Sequence, residues 1–122
     1  MSNTGTLRTA ELTPLHWAGI VAALVSAAVH LILGIGFLPH WMGIAFLIAT
    51  AGFVVGAWLV LTGRMRRRVY LLGIPFTAGQ IVFWYLVNRP ESLDALGSAE
   101  IIDKIAQVVL VLVLGALYLR DT

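Results

Sequence analysis

The sequence predicts an all-α integral membrane protein, a bundle of four transmembrane helices with both termini cytoplasmic. Three observations predict it. Of 122 residues, 60% are hydrophobic and only 11% charged, whereas a soluble domain carries about 25% charged residues to wet its surface. The apolar residues fall into four runs, each close to the roughly 20 residues a helix needs to cross the hydrocarbon layer. The basic run Arg64-Met65-Arg66-Arg67-Arg68, which holds four of the eight Lys and Arg residues, parts the second apolar run from the third. With a mean hydropathy of +0.94, lipid is the expected solvent for most of the surface. The chain is read as one membrane domain over residues 1–122, with 1–12 a flexible tail.

Each span has local causes. The first is predicted over about 14–38, because Thr13 can cap the orphan amides while Pro14 takes the first helical position, and Pro39 ends it. The second covers about 42–61 and stops at Thr62-Gly63. The third covers about 69–87, after which Asn88-Arg89-Pro90 breaks it. The fourth covers about 99–119, with Ser98 as cap and Glu100 in the first turn. A short surface helix is expected between Pro90 and Ala99.

Orientation follows from charge. An even number of crossings puts Arg8, Arg64, Arg66, Arg67, Arg68 and Arg120 on one side, and leaves Arg89 and Lys104 for the other. In short loops this bias places the arginine side in the cytoplasm, for a multi-pass protein of the plasma membrane. Arg64, Arg66, Arg67 and Arg68 are expected to anchor the inner leaflet through its anionic lipids rather than to bind nucleic acid. Trp17, Trp41, Trp84 and Tyr85 fall near span ends, as interfacial belts do.

Counting inward from the outer ends at about 1.5 Å per residue brings one polar residue of each span to a common depth of roughly 9 to 12 Å. These are His30, Thr50, Gln80 and Gln107, with Asp103 one turn above Gln107. Polar groups in hydrocarbon are costly unless paired, so the layer either satisfies itself and fixes helix register or holds a ligand. Lys104 is expected to pair with Glu100 at i, i+4. Pro75 leaves the carbonyl of Leu71 without its helical donor, which favours a kink in the third span.

His16, Gly19, Ala23, Ser26, His30 and Gly34 recur at three- and four-residue steps and form one face of the first span. Ala45, Ala49, Gly52 and Gly56 form a similar stripe on the second, and its Gly-x-x-x-Gly is a helix-packing signal that could also seat a partner helix. The separation of His16 and His30, about 21 Å along the axis, resembles the two-histidine spacing on the haem-bearing helices of the cytochrome b family. That resemblance implies haem b held by His16 and His30. The other spans lack histidine, so paired axial ligands would require a homodimer.

General catalytic signatures are absent: no phosphate loop, no zinc motif, no Gly-x-Ser-x-Gly. With no cysteine, thiolate metal sites and thiol redox chemistry are excluded. No catalytic residue and no metal site is predicted, and an enzyme is the disfavoured class. His16-Trp17 with Gly19, the segment His30-Leu31-x-Leu33-Gly34, Ile74-Pro75-Phe76-Thr77 with Gln80, Trp84-Tyr85, and Asp103-Lys104 with Ala106-Gln107 resemble uncharacterised small haloarchaeal membrane proteins. That resemblance implies a four-span protein without an assigned activity. The function expected from the residues is an accessory or scaffold subunit, or a bundle that binds an apolar ligand, without a cofactor. Its partners would be membrane lipids, a second copy, or another membrane protein. A homodimeric b-type cytochrome and a small transporter or channel protomer are the alternatives.

Overall fold

The computed structural model describes residues 10, 12–88 and 97–120. They form α1 (Pro14–Phe37), α2 (Trp41–Leu61), α3 (Arg66–Asn88) and α4 (Ser98–Arg120). All four helices are long and apolar enough to cross a membrane. Of the tail expected over residues 1–12, only Ala10 and Leu12 are described, and Leu12 packs against the core; the surface helix expected after Pro90 lies outside the described residues, save that Ser98 and Ala99 open α4.

Thr13 caps α1 reciprocally: its hydroxyl accepts from the His16 amide, and its own amide donates to His16 Nδ1 at 3.1 Å. His40 caps α2 by accepting the Met42 amide on Nδ1 at 3.1 Å. The end of α2 is a Schellman motif, in which Arg64 N–H reaches Leu59 O and Gly63 N–H reaches Val60 O. Gly63 takes the left-handed φ of 72° that the motif requires.

Two boundaries differ from expectation. α3 begins at Arg66, so Arg66, Arg67 and Arg68 are its first turn rather than loop. Arginine is a good helix former, and the tight turn after α2 leaves nothing to unwind. Arg66 Nε donates to Val60 O at 2.9 Å, and Arg67 stacks on Tyr118 of α4 at 4.7 Å while donating to its hydroxyl. Arg64 lies 5.7 Å from the Trp58 ring, and Arg68 is exposed. At α4 the cap is Gly97, whose carbonyl accepts from Ile101 N–H, while Glu100 Oε1 reaches back to the Gly97 amide. Ser98 is the first helical residue instead.

α1 packs on α2 and α4, α3 packs on α4, and of the neighbouring pairs α2 with α3 has the least contact. The bundle is therefore a ring with one thin seam. Glycines set the close approaches. A Cβ on Gly43 would stand 2.6 Å from Gly34 O across α1 and α2, and one on Gly19 would stand 3.0 Å from Val113 of α4. Gly52 faces α3, where a Cβ would meet Phe76 Cζ at 2.5 Å. Gly56 is on the same side, where an added Cβ would stand 3.8 Å from Val69. The Gly-x-x-x-Gly stripe thus faces a neighbour within the chain rather than lipid, because α3's aromatic side chain needs the groove. The polarity of the bundle is inverted relative to a soluble protein. Ile32, Ile48 and Leu112 are 70%, 66% and 68% exposed, while Gln107, Ser26 and Asp103 are buried.

Candidate functional site

His30, Gln80, Asp103, Lys104 and Gln107 gather toward the end of the bundle that holds the α1–α2 turn, and their orientations follow from groups that can only donate or only accept. Lys104 Nζ, an obligate donor, sits 2.7 Å from Asp103 Oδ2 and 2.9 Å from Gln107 Oε1. That turns the Gln107 amide nitrogen to Gln80 Oε1 at 3.2 Å, and Gln80 Nε2 then donates to Phe76 O at 3.0 Å. One ammonium so fixes two amides and ties α4 to α3. Lys104 also lies 5.0 Å from the centre of the Trp84 ring, whose Nε1–H donates to Glu100 Oε2 at 2.9 Å. Lys104 therefore pairs with Asp103, not with Glu100, whose carboxylate is taken by Trp84 and the helix cap.

His30 enters from α1. Its Nδ1 is 2.8 Å from Ser26 O, a carbonyl that only accepts, so Nδ1 carries the proton and Nε2 keeps the lone pair in the neutral ring. Asp103 Oδ1 lies 3.6 Å from the same Nδ1 and has no hydrogen-bond partner among the described residues. The imidazole is flanked by Phe46 and Phe53 at 5.3 and 5.6 Å between ring centres.

These groups form the polar end of a cavity of about 440 Å³ walled by all four helices. His30, Gln80, Glu100, Asp103 and Lys104 line that end, and Phe37, Phe46, Ala49, Gly79 and Phe83 line much of the rest. A second cavity of about 70 Å³ lies toward the arginine end, beside His16, Tyr70 and Thr77. Phe76 borders both, packed edge to face on Phe53 at 5.2 Å.

Of the five residues expected in a polar layer, His30, Gln80, Asp103 and Gln107 come together, with Lys104 joining Asp103, Gln107 and through it Gln80. Thr50 does not join them. Its hydroxyl donates to Phe46 O at 3.0 Å and Ala27 O at 3.3 Å, which stitches α2 to α1. Sequence reasoning missed Trp84, placed by it in an interfacial belt, and the aromatic wall. The signal was present in the spacing Phe76, Gly79-Gln80, Phe83-Trp84, one face of α3. As for haem, iron needs a ring nitrogen with a free lone pair. The capping box spends the lone pair of His16 Nδ1 on a backbone N–H, which puts the proton of the neutral ring on Nε2. His16 in this geometry does not fit an axial ligand.

No curated protein and no solved structure matches the chain. The family of unknown function DUF7475 matches residues 2–119, nearly the whole chain, and the chain belongs to that family.

Proposed function

We propose that this is a multi-pass plasma-membrane protein, with both termini and residues 64–68 cytoplasmic, that takes a small and largely apolar molecule from the bilayer into the cavity at the outer end of its bundle. It would act as a binding or accessory subunit rather than an enzyme. The apolar coat supports insertion, since the exposed faces of Ile32, Ile48 and Leu112 would be unfavourable in water. Lys104 supports the orientation: it is turned inward to Asp103 and is no loop charge, which steepens the arginine bias toward the other end.

The cavity carries the functional reading. About 440 Å³ falls in the range of small-molecule sites, roughly 300 to 1,000 Å³, and such sites combine apolar walls with a few placed polar groups. A layer that served only to fix helix register would close on itself. This one leaves Asp103 Oδ1 buried without a partner, and it leaves His30, whose hydrogen bond is made through Nδ1, in the cavity wall with Nε2 unused. The thin contact of α2 with α3 supplies a lateral way in from lipid.

Native mass spectrometry of the protein released from membranes in mild detergent tests this, with Gly79→Leu as comparison. Gly79 lines the cavity, and a Cβ there meets nothing within 4 Å, so a side chain can be introduced at this position without a clash at its root. A bound mass on the native protein that is lost in Gly79→Leu supports the proposal. Identical spectra overturn it.

A further inference from the structure

The unused ring nitrogen of His30 in the cavity wall is an acceptor, and that names the chemistry of the missing partner. The Ser26 carbonyl holds the His30 proton on Nδ1, so Nε2 offers a lone pair, and no described group donates to it. Asp103 Oδ1 lacks a donor as well. Both side chains are more than nine-tenths buried, at 6% and 4% exposure, so bulk water does not serve them freely. The donors that line the cavity or adjoin it on α4 are engaged, Lys104 by Asp103 and Gln107, Gln107 by Gln80, Gln80 by Phe76 O, and Trp84 by Glu100, while the unpartnered Ser26 hydroxyl is not among the lining groups.

Resting on the ligand-binding reading above, we propose that the cavity selects a neutral amphiphile with a hydroxyl head. The hydroxyl donates to His30 Nε2, and the apolar body lies against Phe46, Phe83 and Gly79. Charge decides between head groups. The Asp103 carboxylate already has its countercharge in Lys104 at 2.7 Å, so an ammonium head would bring a second cation beside Lys104. A carboxylate or phosphate head would meet an acceptor where it needs a donor. Water alone is a poor occupant, since one water takes about 30 Å³ of liquid volume and most of this cavity wall offers no polar partner.

A bromine-labelled probe series reads this directly. A protein with Trp17→Phe, Trp41→Phe and Trp58→Phe keeps only Trp84, which lines the cavity. Its fluorescence is titrated in nanodiscs with 10-bromodecan-1-ol, the methyl ether of that alcohol, and 10-bromodecylammonium. The expected result is saturable quenching by the alcohol at a concentration at least tenfold below that of the ether, because the ether leaves the buried acceptor unserved. The ammonium should be no better than the ether. In His30→Phe, which keeps an aromatic ring between Phe46 and Phe53, alcohol and ether should become equal. Saturable quenching that is equal for alcohol and ether in the native residue background, or strongest for the ammonium, overturns the hydroxyl assignment while leaving ligand binding intact. Quenching that saturates with none of the three, or that Gly79→Leu leaves unchanged, overturns the binding reading itself. Should His30→Phe fail to fold, the alcohol-to-ether ratio of the unsubstituted histidine still decides.

Discussion

Removing the ammonium of Lys104 should be among the most damaging single changes in the chain, and removing its partner as well should undo most of the harm. Asp103 is buried, and only one of its oxygens has a hydrogen-bond donor, Lys104 Nζ at 2.7 Å. Lys104→Met keeps the length of the side chain but leaves the carboxylate with neither countercharge nor donor, and leaves Gln107 Oε1 without its donor. Breaking one partner of a buried ion pair costs about 3 to 5 kcal/mol, whereas replacing both by apolar side chains is often near neutral. Asp103→Leu with Lys104→Met should therefore cost less than Lys104→Met alone. The remaining loss, about 1 to 3 kcal/mol, is that of the orphaned Gln107 oxygen. Equilibrium unfolding in mixed micelles, followed by far-ultraviolet circular dichroism for native, single and double variants, gives the coupling energy. A Lys104→Met cost below about 1 kcal/mol, the scale of a solvent-exposed pair, would refute the reasoning, and so would a double variant whose loss equals the sum of the singles.

Gly43→Ala should destabilise by about 1 to 3 kcal/mol, because its Cβ would meet backbone atoms of Gly34, Leu38 and Phe37 at 2.6 to 3.0 Å, none of which can rotate away. Gly36→Ala, with nothing within 4 Å, should instead be neutral or gain up to about 1 kcal/mol from helix propensity, and the two variants are compared in the same unfolding assay. Thr77→Val should stabilise by about 1 kcal/mol, since Thr77 Oγ1 is buried without a hydrogen-bond partner and valine has the same shape; a lowered unfolding midpoint would count against that. The chain has no cysteine, so single cysteines report topology cleanly. With a membrane-impermeant maleimide on intact cells, Ser92→Cys should label and Thr122→Cys should label only after lysis, whereas the reverse pattern would invert the assigned orientation.

Much of this architecture was legible because its causes are local or periodic. Four apolar runs of spanning length, Thr13-Pro14 at the first helix start and Gly63 after α2 each carry their physics in a few residues. The gathering of His30, Gln80, Asp103 and Gln107 was legible too, since equal depth forces polar groups in an apolar bundle toward one another. What depends on which faces meet was not. Spacing nominated Glu100 for Lys104, but the carboxylate of Glu100 is drawn to Trp84 across the α3–α4 contact. The glycine stripe of α2 was visible, yet only packing reveals that Phe76 occupies it. The arginines were assigned to a loop because charge interrupts hydropathy, although nothing in arginine interrupts a helix. The cavity follows from how little α2 and α3 touch, a property of no single segment.

Occupancy of that cavity is the central claim, and Trp84 stands in its wall to report it. The most direct measurement is the quenching of Trp84 by 10-bromodecan-1-ol in nanodiscs, in the single-tryptophan background, with glycine or leucine at position 79. A saturable curve with Gly79 that becomes linear and shallow in Gly79→Leu is the expected result. Superimposable curves, both growing only with the probe's partition into lipid, would contradict it.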